Sequence, residues 1–194
     1  MAKPYGVATD QEGRVYVTDS GQGVVWVFDE KNKKVSFLGT SGQGRLNQPI
    51  GIAVDNRGII FVSDVALQRV FGFDRDGKLV VAIGQKGELV NPSGLAIDRL
   101  SGRLYVADPR NHKIRVYNSA DGKFLFEFGK RGKEDGELNF PTNLSSRNGK
   151  LYVSDTGNFR IQIFDLEGKF LKKFGDIGDS PGQLARPRGV ATDS

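Results

Sequence analysis

LYVSDTGNFRIQIFDLEGKFLKKFG, residues 151–175, reads as three short strands. The first ends at Asp155 and a polar turn follows. The second runs from Arg160 to Asp165, a Glu-Gly turn follows, and the third ends at Gly175. Runs of β-branched and aromatic residues bounded by Asp, Gly and Asn are strand chemistry. The same sentence is written four times in the chain.

Prolines mark the period, which is about 45 residues and lies in the range of propeller repeats. Each copy opens on a Pro with a short apolar strand: PYGVATD (4–10), PIGIAVD (49–55), PSGLAID (92–98) and PTNLSS (141–146). A fifth opening, PRGVATD, stands at 187–193. A second strand then ends in Asp: VYVTD (15–19), IFVSD (60–64), LYVAD (104–108) and LYVSD (151–155). After a polar turn comes a third: VVWVFD (24–29), RVFGFD (69–74), KIRVYN (113–118) and RIQIFD (160–165). The fourth strand ends at Gly39, Gly84, Gly129 or Gly175, and a Gly-rich loop returns to the next Pro.

Four short strands joined by hairpin turns make one blade of a β-propeller. A single such sheet cannot bury both faces, but a radial stack of sheets does so and leaves only short edges. A solenoid or a large sandwich is the competing reading. The strict four-strand unit and the lack of helical periodicity count against both. The expectation is an all-β chain of four four-stranded antiparallel blades plus the first strand of a fifth. The repeats fall at about 4–48, 49–91, 92–140 and 141–186, with the extra strand at 187–193.

Composition agrees. The chain has 194 residues, 38% hydrophobic and 26% charged, with 26 Gly, 7 Pro and a single Met. That is the profile of a globular chain with many turns. There is no Cys, so disulfides, thiol catalysis and Cys-ligated metals are excluded. No apolar run approaches a membrane span, and the start MAKPYG has no apolar segment of leader type. A net charge of +5 suits solubility as readily as binding.

The segments DPRNHKIRVYN (108–118) and DTGNFRIQIFD (155–165) resemble the core of the NHL repeat. The PxGxAxD opening and the Gly-rich returns at Gly39–Leu46, Gly129–Leu138 and Gly175–Leu184 match it too. The first two copies depart from the pattern, with Gln22-Gly23-Val24 and Leu67-Gln68-Arg69 at the core positions. The family usually closes a ring of six blades, so the chain is similar to a four-blade portion of one. The sequence itself does not fix a compartment. The resemblance favours an exported or surface-associated bacterial protein.

The recurrent Asp19, Asp64, Asp108 and Asp155 are expected to be structural, tying the turn to the next strand. Asp10, Asp55, Asp98 and Asp193 close the opening strands and read as turn residues, with no metal site expected. The single His112 cannot build a multi-histidine zinc site, as some NHL-type lyases require, nor is a GxSxG nucleophile motif present. The residues that line the turn end, Arg69, Arg110, His112, Lys113, Phe159 and Arg160, are candidates for binding. Trp26 and Phe71 occupy matching third-strand positions and form a candidate apolar patch for a partner. The charges of the blade-to-blade loops cancel, and the basic turn residues are matched by the four Asp before them. A nucleic-acid face needs surplus Lys and Arg, so that partner is not favoured. The reading is therefore a non-catalytic scaffold for a protein partner or self-association, with no cofactor. An RNA-binding propeller and a metal-dependent propeller hydrolase or lyase remain as alternatives.

Overall fold

The computed structural model describes residues 1–85, 87–178 and 180–192. Four four-stranded sheets follow one another along the chain, each with its strands in sequence order. The first sheet holds β1 (Pro4–Thr9), β2 (Val15–Asp19), β3 (Val24–Asp29) and β4 (Lys34–Leu38). The second holds β5 (Pro49–Val54), β6 (Ile60–Asp64), β7 (Arg69–Phe73) and β8 (Leu79–Ile83). The third holds β9 (Leu95–Asp98), β10 (Arg103–Asp108), β11 (Lys113–Asn118) and β12 (Phe124–Phe128). The fourth holds β13 (Pro141–Arg147), β14 (Lys150–Asp155), β15 (Arg160–Asp165) and β16 (Phe170–Phe174). All pairings are antiparallel. This is the expected stack of propeller blades.

The core lies between blades. Tyr16, Val25 and Leu38 of the first blade meet Ile52, Val62 and Phe71 of the second. Phe61, Val70 and Ile83 of the second meet Leu104, Val106 and Tyr117 of the third. Tyr105, Ile114 and Val116 of the third meet Leu144, Val153 and Phe164 of the fourth. Alternation along each strand thus feeds two seams, one per face.

The opening strands β1, β5, β9 and β13 lie side by side at the inner edge. Their approach explains the Gly of the PxGxAxD opening. A Cβ on Gly51 would stand 2.0 Å from the Ser93 carbonyl oxygen, and one on Gly94 would stand 2.6 Å from that of Thr142. Hydroxyls bridge the same seams: Thr18 Oγ1 donates to the Ile50 carbonyl at 2.8 Å, and Ser63 Oγ to that of Ser93 at 2.6 Å. Ala107 has no hydroxyl, and there Ser93 Oγ itself donates to the Thr142 carbonyl at 3.1 Å.

The fifth opening differs from expectation. Among its described residues, 187–192 form no strand ladder. They nonetheless lie along β13, where Thr156 Oγ1 donates to the Pro187 carbonyl at 2.6 Å and Ser145 and Thr192 share a hydroxyl contact at 3.0 Å. Asp193 lies outside the described residues.

Candidate functional site

Antiparallel order puts three features at one end of every blade: the start of the first strand, the turn after the second, and the loop into the next blade. Residues 20–23, 65–68, 109–112 and 156–159 form those turns. The last residue of each has positive φ: Gly23 (65°), Gln68 (55°), His112 (55°) and Phe159 (55°). The left-handed residue reverses the chain into the third strand. A glycine in the first copy was the sequence signal for this geometry.

The recurrent Asp residues build these turns from inside, as expected of structural positions. All four are 0% exposed. Asp19 accepts N–H groups from Ala2 (2.7 Å), Lys3 (2.9 Å) and Gly21 (3.0 Å), plus the Trp26 indole (3.3 Å). Asp64 accepts those of Asn47 (2.7 Å), Gln48 (2.9 Å) and Leu67 (3.0 Å). Asp108 accepts those of Val90 (3.1 Å) and Asn91 (2.9 Å) and the Asn111 amide (2.8 Å). Asp155 accepts the Asn139 N–H at 2.6 Å. Burial pushes the Asp19 carboxyl up, but the backbone N–H groups around it outweigh burial and hold it below the usual range.

The six candidate binding residues separate into two groups. Arg160 is buried and fully committed. Its Nε donates to Asp155 at 2.8 Å, and its terminal nitrogens donate to the carbonyls of Lys133, Glu134 and Glu137, each at 2.9 Å. Lys113 turns along the sheet to pair with Glu127. Arg160 is thereby held inside the fold, whereas the Lys113 side chain stays 37% exposed beside Glu127. Arg69 and Arg110 are exposed, and Phe159 is half-buried. His112 is also half-buried: its Nδ1 accepts the Phe140 N–H at 3.3 Å, and its ring meets that of Phe140 edge-on at 4.8 Å. Burial and the nearby Arg131 hold the imidazole below its ordinary pKa, against a smaller pull from Asp155.

The four recurrent Asp residues are inside the turns, while Glu134 and Asp135 of the loop before the fourth blade are exposed at the same end. Two further apolar residues stand exposed on this face, Phe140 (47% exposed) and Leu67 (39% exposed), of which Leu67 carries no signal in the sequence. Phe140 sits before Pro141 with φ 50°, a backbone conformation no periodicity announces.

Trp26 and Phe71 do not form one patch. Phe71 is 3% exposed within the seam between the first two blades. Trp26 occupies the equivalent position on the open face of the first blade, edge-on to Phe37 at 4.6 Å. The two residues face the same way, but only the second blade has a neighbour there.

At the opposite end, Asp10, Asp55 and Asp98 are turn residues. Asp10 accepts the Arg14 N–H at 3.0 Å and the Tyr16 hydroxyl at 2.9 Å. Burial, then the carboxylate, pushes the Tyr16 phenol up to about 12. Asp55 pairs with Arg57, and Asp98 accepts the Ser101 hydroxyl at 2.5 Å. Among the described residues, no three His, Cys, Asp or Glu converge in a way that could hold a metal ion. Among the described residues, no helix is long and apolar enough to cross a membrane.

Comparison with known proteins agrees with this geometry. A family profile described as "6-bladed beta-propeller" matches residues 45–130, and one described as "NHL repeat" matches residues 138–164. The chain is 33% identical over 112 residues to Protein brain tumor of Drosophila melanogaster, covering 56% of this chain and 10% of that protein. It is 30% identical over 107 residues to the human E3 ubiquitin-protein ligase NHLRC1, covering 55% of this chain and 25% of that one. The chain thus spans a quarter or less of these relatives. A streptogramin B lyase structure superposes with a TM-score of 0.77 at 16% identity, over 98% of this chain and 59% of that one, a likeness of fold alone. With its repeated Pro openings, buried turn Asp residues and left-handed turns, the chain is similar to NHL-repeat β-propellers, one propeller profile matching residues 45–130 and the NHL repeat itself matching residues 138–164.

Proposed function

We propose that the chain is a non-catalytic interaction scaffold that presents its turn end to a protein partner. One observation carries this reading: Arg69, Arg110, Leu67 and Phe140 are exposed at the end where the four recurrent Asp residues are buried in the turns. Guanidinium and aromatic groups together suit a partner that offers carboxylates beside apolar side chains. The matched relatives named as ubiquitin ligases are much longer than this stretch, which suits a binding module joined to other activities.

A second reading is a single-stranded nucleic acid, whose phosphates suit exposed Arg69 and Arg110 and whose bases can stack on the exposed Phe140 ring. A metal-dependent hydrolase or lyase has no residue cluster in its favour among the described residues.

Fluorescence anisotropy of the whole chain with two probes separates these readings. One probe is a labelled peptide alternating Glu and Phe, the other a labelled oligouridylate, each measured from 50 to 300 mM salt. Peptide binding that Arg69→Glu with Arg110→Glu weakens at least tenfold supports the scaffold. Binding of the oligouridylate alone, falling steeply with salt, moves the function to the second reading. Binding of neither probe overturns both.

A further inference from the structure

The turn between β13 and β14 differs from its counterparts in the other blades. There Asp10, Asp55 and Asp98 fold back on the turn, each accepting one of its N–H groups. In the fourth blade Arg147 pairs with Lys150, and only Asn148 and Gly149 lie between them. Their φ values are 50° and 71°. That is the two-residue turn with both central residues left-handed, which Asn-Gly favours. Both residues are exposed, and a Cβ on Gly149 would meet nothing within 4 Å. The tip is open to water.

Asn148 is the one asparagine followed by glycine. It also stands apart in its hydrogen bonds. The amides of Asn32, Asn56, Asn111, Asn139 and Asn158 are all committed as donors. Asn118 Oδ1 accepts the Ala120 N–H at 2.8 Å. Asn91 precedes Pro92, which has no N–H. The N–H after Asn47, that of Gln48, is held by Asp64 at 2.9 Å. Asn143 and Leu144 are paired within the sheet. Among the described residues, neither the Asn148 amide nor the Gly149 N–H has a hydrogen-bond partner.

We infer that Asn148 is a self-modification site, where the chain converts the side-chain amide to a carboxylate with no reagent but water. The Gly149 nitrogen gives its proton to solvent base and bonds to Asn148 Cγ. The Cγ–Nδ2 bond breaks, and Nδ2 takes up a proton and leaves as ammonia. A five-membered imide is closed. Water then adds to either ring carbonyl, its hydroxyl bonding to carbon and its proton restoring the Gly149 N–H as the carbon–nitrogen bond breaks. Opening at Cγ gives aspartate. Opening at the main-chain carbon gives isoaspartate, with the chain running on through Cγ. Asparagine is thermolabile in general, and glycine after it removes the Cβ that would crowd the attacking nitrogen.

The two products differ in effect. Aspartate sets a carboxylate between Arg147 and Lys150. Isoaspartate lengthens the turn by one backbone carbon, and turn length is what fixes the register of a hairpin. Both changes fall at the end of the fourth blade opposite the proposed binding end.

Peptide mapping by mass spectrometry, after the whole folded chain is incubated at pH 8 in heavy-oxygen water, tests the inference. Asn148 should convert at least tenfold faster than any other asparagine. It should give both aspartate and isoaspartate, each carrying one heavy oxygen. Gly149→Ala should slow the conversion at least tenfold. Three outcomes overturn the inference: Asn148 intact in the folded chain when the urea-unfolded chain has converted it, another asparagine converting as fast, or aspartate as the sole product.

Discussion

At the scale of single residues, the same sequence position has two fates. Arg69, Lys113 and Arg160 all open a third strand five residues after a recurrent Asp, a spacing that reads in sequence as an ion pair to that Asp or as a binding position. Only Arg160 has three loop carbonyls arranged around its fork, so it is drawn inside. The loop that supplies those carbonyls is distant in sequence, which is why spacing could not distinguish the three. The buried Asp residues were legible because turn N–H groups need a local acceptor in every copy. Asp64→Ala should cost about 3 kcal/mol by stranding three buried N–H groups, lowering the thermal midpoint by about 6–12 °C. Arg160→Ala should cost about 3 kcal/mol, whereas Arg110→Ala should change stability by less than about 0.5 kcal/mol and act on binding alone. Calorimetry of the three variants checks this ordering, and equal losses at Arg110 and Arg160 would contradict the division of the face.

At the scale of elements, strands and hairpins were readable to within a residue or two because alternation and turn chemistry are local. The exceptions are places where an element depends on a neighbour. The segment 187–192 has strand composition but forms no ladder, and Phe140 is exposed by the left-handed step before Pro141. The His112 turn makes a pH prediction. Its imidazole accepts the Phe140 N–H and has a folded pKa below 6.5, so the fold favours the neutral ring. Above pH 6.5 both states are neutral and the contribution is fully present. As pH falls below 6.5 the unfolded chain takes up the proton first, and stability drops until the folded ring also protonates. Gln68 adopts the same backbone in the second blade, so His112→Gln should fold normally. Denaturant midpoints between pH 7 and 5 should decline more steeply in the parent than in this variant, and parallel declines would refute the assignment.

At the scale of the whole molecule, each blade is stabilised by those beside it, so protection is greatest where both faces are covered. β6 is buried along its whole length and β10 nearly so, while β1 and β16 are largely exposed. Amide exchange should therefore be slowest in β6 and β10, by about 100-fold or more relative to β1 and β16. Uniform protection across the four blades would mean that they open as one unit. The repeat count and blade order were plain in the sequence, whereas the burial of Arg160 and the exposure of Leu67 were not, because they depend on where side chains point. The hydroxyl bridges along the inner seam carry one more lesson. The donor is Thr18 or Ser63 from a second strand, Ser93 from just ahead of a first strand, and Thr156 from a turn, but the acceptor is always the main-chain carbonyl of an opening proline or of the residue after it. No substitution can delete a carbonyl, so during divergence the donor is free to migrate among several sites while the bond persists. Copies of the unit can thus lose letter-by-letter likeness and still inherit the same joint.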